Sequence, residues 1–291
     1  MKKLTVFCAA ACLAASAAAQ NHPDLHEVLD RQKGRNLIEI PKGTYTLDVR
    51  SNGPYKFHNL TDVHINGNGS TVICNNQEQA FSFYNCVRVE LRDLTIDYDP
   101  LCFTQGEITA VAEDGSWFDV RIDEGYPVTG LAANRVQFYD PQTRLLKRNS
   151  ITTYTSNYSA LKQLGHNLFR AVKNGTWSAG EQVGDLVVMD VKTDKPNAGV
   201  HTVMLNKCYN TKLENVTVYG SNTFSFFEKE GYANEYRNCV VDRGPMPQGI
   251  KPRLRSGNAD GIHSSQARKG PTVTGCKVGH NGDDCIIVCG R

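Results

Sequence analysis

Apolar and polar positions alternate along this chain in short runs that recur. Val63-His64-Ile65-Asn66-Gly67 is followed by Val89-Glu90-Leu91-Arg92-Asp93-Leu94-Thr95-Ile96. After a gap come Leu213-Glu214-Asn215-Val216-Thr217-Val218, Tyr236-Arg237-Asn238-Cys239-Val240-Val241 and Val273-Thr274-Gly275-Cys276-Lys277-Val278. Alternation with period two predicts half-buried strands. Asn215 and Asn238 hold matching places twenty-three residues apart. A repeat of that length, made of short strands broken by Asn and Gly, predicts a solenoid in which each coil buries its inward residues only against its neighbours. The predicted fold is therefore all-β, a right-handed parallel β-helix.

The rest of the chain arranges itself around that repeat. Leu25, Val28 and Leu29 form an apolar stripe at helical spacing, ending at Lys33-Gly34, which predicts a short helix capping the stack. Leu37 to Leu47 reads as strand, Pro/Gly turn and strand. Between Ile96 and Val203 the repeat disappears. Strand-like runs at Glu107–Val111, Trp117–Ile122, Val136–Tyr139 and Asp185–Val191, separated by Asp-Gly, Asp-Pro and Asn-Gly turns, predict a small antiparallel, barrel-like β subdomain inserted between coils. About a hundred structureless residues would be unusual in a compact protein. The predicted organisation is a leader over 1–19, a cap and first coils over 20–100, the insertion over 101–200, and further coils over 201–291.

Met1-Lys2-Lys3, the apolar run Leu4–Ala15 and the small residues through Ala19 have the three regions of a secretory signal peptide, predicting cleavage near Ala19 and export to the periplasm, cell surface or medium. That run is too short to span a bilayer, and no later run approaches it. Removing Lys2 and Lys3 turns 32 basic residues into 30, against 30 acidic ones. A neutral mature chain lacks the concentrated positive surface of a nucleic-acid binder. Eight of the ten cysteines follow the leader, an even number that in an exported chain ordinarily points to disulfides. Their positions point elsewhere: Cys86 and Cys208 each lie eight residues before a matched apolar residue, Leu94 and Val216, and Cys239 and Cys276 each begin a similar strand. Such equivalence predicts buried thiols filling a column. Scattered histidines and the lack of any Cys-x-x-Cys pair argue against structural zinc.

Candidate chemistry gathers near the end of the chain. Asn258-Ala259-Asp260-Gly261-Ile262-His263 precedes Gly282-Asp283-Asp284-Cys285-Ile286 by about one coil, so stacking would bring Asp260 to Asp283 and Asp284. Asp and Gly also dominate turns for purely local reasons. Three clustered carboxylates suit acid/base chemistry.

These segments resemble two enzyme families. The spacing of Asp260, Cys276, Asp283 and Asp284, and the stretch Thr95–Gly106 leading into the insertion, resemble the β-helical exo-α-galactosidases of glycoside hydrolase family 110. That resemblance implies an Asp at each matching place and a β-barrel inserted in the helix. Asn258-Ala259-Asp260 and Gly282-Asp283-Asp284-Cys285 resemble motifs of the family 28 polygalacturonases. Both families invert the anomeric centre, so the resemblance implies inverting hydrolysis of glycosidic bonds in an oligo- or polysaccharide. The likeness is close over about thirty residues, and Cys289-Gly290 stands where the galactosidases tend to show His-Gly. Family 28 enzymes carry further Gly-His and Arg-x-Lys signals beyond the acidic pair. The chain stops at Arg291, directly after the last strand, and reads as C-terminally truncated.

Inverting cleavage requires one protonated and one ionised carboxyl, about 6.5–9.5 Å apart. The expected roles are acid for Asp283 or Asp284, and base for Asp260 with the remaining one. His263 is expected to bind or tune. Arg268 and Arg255, the latter from the cluster Lys251-Pro252-Arg253-Leu254-Arg255, are weaker candidates for substrate binding. No cofactor is required. A polysaccharide lyase is the competing enzyme class, in which an Asp cluster would hold calcium, although calcium takes about six or more oxygen ligands. A carbohydrate-binding solenoid is the non-enzymatic alternative.

Overall fold

The structure is a computed structural model describing residues 22–192 and 200–290. The leader over 1–19, with its cleavage site near Ala19, lies outside the described residues. Among the described residues no helix is long and apolar enough to cross a membrane.

Two parallel sheets build the solenoid. The first, of nine strands, runs through Leu37–Glu39, His64–Cys74, Glu90–Tyr98, Lys212–Val218, Glu235–Arg237 and Thr272–Thr274. Ile38, Ile65, Leu91, Leu213, Tyr236 and Val273 pair in register as one column, which explains why the alternating runs look alike in sequence. The second sheet, of six strands, stacks Tyr55–His58, Phe81–Tyr84, Val203–Asn206, Phe226–Lys229, Ile262–Ser265 and Ile286–Cys289. Lys212 pairs with Glu235, 23 residues on, so the interval read from Asn215 to Asn238 is a true coil length. The short helix Leu25–Asp30 starts at Asp24, whose side chain accepts from the His26 amide, and buries Leu25 and Leu29 against the first coils.

Each coil turns through a residue in the left-handed region. Asp93, Asn215 and Asn238 have φ near +50°, with Gly275 at the next equivalent place. Asn and Asp tolerate that conformation better than bulkier residues, and Gly tolerates it freely. Of the four cysteines whose spacing predicts a buried column, Cys86, Cys208 and Cys239 are buried and Cys276 is half-buried, while Cys285 is exposed. All eight described cysteines are free, and Cys74, Cys86, Cys102, Cys208 and Cys239 are buried.

The inserted subdomain leaves the solenoid after Tyr98 and returns at Val203. It is a seven-stranded antiparallel sheet with a separate core around Phe103, Phe118, Phe138 and Val188. Its two outermost strands, Thr153–Tyr154 and Tyr158–Gln163, are consecutive in the chain and joined by a single turn over Thr155–Asn157. The Thr153 and Tyr158 hydroxyls lie 2.6 Å apart across that seam. The ribbon is thereby rolled into a near-barrel. Trp117–Ile122 has its expected limits, whereas Phe103–Val111 and Leu131–Tyr139 extend beyond the alternating parts of their sequences.

Ion pairs fasten the insertion to the coils. Arg253 donates twice to Asp97 at 2.8 Å, Arg255 donates to Asp190 at 2.7 Å, and Lys251 donates to Asp123 at 2.7 Å. Asp123 and Asp190 belong to the insertion, so their pairs join it to the coils, whereas Asp97 ends a solenoid strand and its pair with Arg253 lies within the solenoid. The basic cluster is thus a structural clasp.

Candidate active site

The turn entering each strand of the second sheet holds one equivalent position. Val203, Phe226, Ile262 and Ile286 pair in register, so the residues two places earlier stack as His201, Phe224, Asp260 and Asp284. The first two are aromatic, with ring centroids 4.6 Å apart and nearly parallel. The last two are acidic. Ile262 pairs with Ile286, a coil of 24 residues at this point, so Asp284 stands over Asp260 and Asp283 lies one place off the column.

Glycine makes the stacking possible. A Cβ on Gly282 would lie 2.3 Å from the Asn258 carbonyl oxygen, and one on Gly261 would lie 2.1 Å from a Val278 methyl. The glycines of both motifs are therefore turn and packing residues, as the local reading holds, while the aspartates beside them are brought together.

Asp260, Asp283 and Asp284 each place an oxygen within 4.8 Å of the other two. That is closer than the about 6.5–9.5 Å expected for inversion, because residues on adjacent coils inherit the roughly 4.8 Å strand spacing. An oxygen–oxygen gap of that width fits one bridging water. Asp260 is buried at 5% exposure, whereas Asp283 and Asp284 are exposed. Burial raises the Asp260 pKa above the usual carboxylate range; the His263 hydrogen bond opposes this, and the charges of Asp283 and Asp284 add to it.

His263 joins Asp260 through Nδ1 to Oδ2 at 2.6 Å. Its ring stacks on Phe224 at 4.2 Å and meets Phe227 edge-on at 5.4 Å. Its Nε2 lies 3.4 Å from the Cys289 sulfur. The imidazole is held on every side. Burial, with a smaller contribution from His263, pushes the neighbouring His201 down to about 4, so His201 is neutral near pH 7.

The remaining sequence candidates are placed elsewhere. Arg255 is fully buried, and its Nη1 donates to Asp190 and, at 3.0 Å, to the Asn258 side chain. That burial removes it from direct substrate contact and makes it a support of the Asn258 turn. Arg268 is exposed beyond the far end of the strand Ile262–Ser265, away from the aspartates that precede that strand.

Two residues of the insertion reach the site without any warning in the sequence. Arg135 donates through Nη1 to the Asn258 carbonyl and through Nη2 to Asp283, both at 2.7 Å. Gln137 donates to the Gly282 carbonyl at 3.0 Å. They lie more than a hundred residues before the aspartates, and only the fold brings them there.

No protein-family description and no curated protein matches the chain. Among solved structures, the crystal structure of the tailspike protein gp49 from Pseudomonas phage LKA1 is similar over 79% of this chain and 51% of that one, with 13% identity and a TM-score of 0.21. The chain thus spans about half the length of that protein. The likeness to families 110 and 28 rests on the motifs alone.

Proposed function

We propose that the chain is a carbohydrate-active β-helix protein that hydrolyses glycosidic bonds at Asp260, Asp283 and Asp284. The observation that carries this reading is the pairing of unlike environments: one buried carboxyl with a raised pKa beside two exposed carboxylates within 4.8 Å. Titratable groups whose surroundings push them apart divide into acid and base. Asp260 is assigned as the acid that protonates the leaving oxygen, the reverse of the role its motif alone suggests. Asp283 and Asp284 hold and deprotonate the attacking water. His263 steadies the Asp260 carboxyl. The partly exposed rings of Phe224 and Phe227 offer the apolar surface on which a sugar ring rests beside the acid. An α-galactoside is the proposed substrate, following the spacing and the insertion shared with family 110.

The full chain incubated with 4-nitrophenyl α-galactopyranoside, polygalacturonate and alginate tests this. Hydrolysis of the first, loss of that hydrolysis in Asp260→Asn and Asp283→Asn, and insensitivity to a calcium chelator are the expected results. The first-formed anomer, read by NMR, reports the attacking group: inversion marks attack by water, although the spacing is nearer the about 5–5.5 Å of retaining pairs. Retention would transfer the attack to a carboxylate. An unsaturated product from either polyuronate would make the protein a lyase, and glycan binding without turnover would make it a binding module.

A further inference from the structure

We propose that Arg135, on the inserted subdomain, is a positioning residue acting through Asp283: bonded to that carboxylate and to the Asn258 carbonyl, its guanidinium fixes the spacing of the two aspartate-bearing turns. This rests on the glycosidase reading of the same carboxylates, and it gives the insertion a part in catalysis.

The geometry is that of a clamp. Arg135 and Gln137 lie two residues apart on the strand Leu131–Tyr139, so both side chains leave the same face. Through them that face bonds the Asn258 carbonyl, the Gly282 carbonyl and Asp283, which belong to the turns carrying Asp260 and Asp284. The strand is itself fixed by antiparallel pairing with Leu186–Val191. Arg135 is 15% exposed and lies over the Tyr154 ring, with 5.8 Å from its central carbon to the ring centroid. A planar guanidinium can reach a carbonyl and a carboxylate at once, which the single ammonium of a lysine cannot reproduce.

The charges explain why a clamp of this kind matters. From the solenoid, Asp260, Asp283, Asp284 and His263 face the site, with Cys289 behind His263. From the insertion, Arg135 faces it, with the Asp190–Arg255 pair behind. Carboxylates on adjacent turns repel one another, and a guanidinium bonded to Asp283 offsets that repulsion while holding the turns together.

Full-length Arg135→Gln and Arg135→Lys are compared with the wild type by circular dichroism, by kcat and KM on 4-nitrophenyl α-galactopyranoside, and by hydrogen exchange at the Asn258 and Gly282 amides. In Arg135→Gln those two amides are expected to lose protection. kcat is expected to fall by about a hundredfold, with KM changing far less. Arg135→Lys keeps the charge without the fork, so its kcat is expected to fall as well. A folded Arg135→Gln with unchanged kcat and unchanged protection at the two turns would overturn the proposal. If the wild type hydrolyses nothing, the glycosidase reading fails. Hydrogen exchange then decides by itself whether Arg135 holds the two turns, with Arg135→Lys read in place of any variant that does not fold.

Discussion

At Asp260 the cost of burying a charge outweighs the hydrogen bond from His263, so the folded protein binds a proton there more tightly than the unfolded chain does. The sign follows directly. A carboxyl with a raised folded pKa stabilises the fold at low pH, and this contribution is lost as pH rises through that pKa. Asp260→Asn is expected to abolish at least about a thousandfold of the hydrolysis and yet to melt higher than wild type at pH 7. The gain in melting temperature should shrink as pH falls through the raised pKa and be gone once pH is below the ordinary carboxylate value. A variant that melts lower than wild type across the whole pH range would contradict the assignment of strain to this residue. Glu228 is a buried carboxyl in a different setting. It lies wholly inside the solenoid, in register with Leu205 and Ser264, and accepts from the Ser264 hydroxyl at 2.6 Å and the Asn234 amide at 3.0 Å. An apolar column thus turns polar at the coils that carry the site.

Among the elements, the turn into each strand of the second sheet joins fold and chemistry most closely. Gly282→Ala would press a methyl group against the Asn258 carbonyl. Overpacking of this kind costs about 1–3 kcal/mol. Denaturant unfolding should show that loss, and activity should fall more than tenfold, roughly, because the same turn aims Asp283 and Asp284. Unchanged stability would mean that the coils part easily. The strands of the first sheet were legible in the sequence because six or more alternating residues expose their period and their left-handed Asn turns recur. The second sheet was not, since its four-residue strands hold only two inward residues each. The three aspartates were legible because coil length alone predicts their meeting. Arg135 was not, because nothing local distinguishes an arginine in an antiparallel strand that faces solvent from one that faces a distant turn. The basic cluster misled for a related reason. Arg255 and Arg253 have partners in Asp190 and Asp97, far away in sequence.

In the molecule as a whole, two cores are held together by buried charge. Arg255→Ala leaves Asp190 of the insertion buried without its guanidinium and is expected to cost about 3–5 kcal/mol. Loss should appear first as weakened protection of the insertion from hydrogen exchange, with the first coils still protected. Loss of protection throughout would show that the two cores unfold as one. The thiols report on the same structure. Cys285 is exposed, and five of the eight described cysteines are buried. A thiol reagent should label Cys285 rapidly, the half-buried Cys276 and Cys289 more slowly, and the others only on unfolding, while a reductant should leave the melting temperature unchanged.

The seam where the solenoid resumes after the insertion constrains the order in which the chain folds. Glu90 and Lys212 are neighbours in one sheet although 122 residues separate them, whereas the next coil closes after only 23. Closing so long a loop carries a larger entropic cost than adding a coil beside an existing one. The coils before Tyr98 and those after Val203 are therefore expected to nucleate as independent stacks. Their docking is the expected slow step, and pulse-labelled hydrogen exchange in which Glu90–Tyr98 and Lys212–Val218 gain protection only together would contradict it.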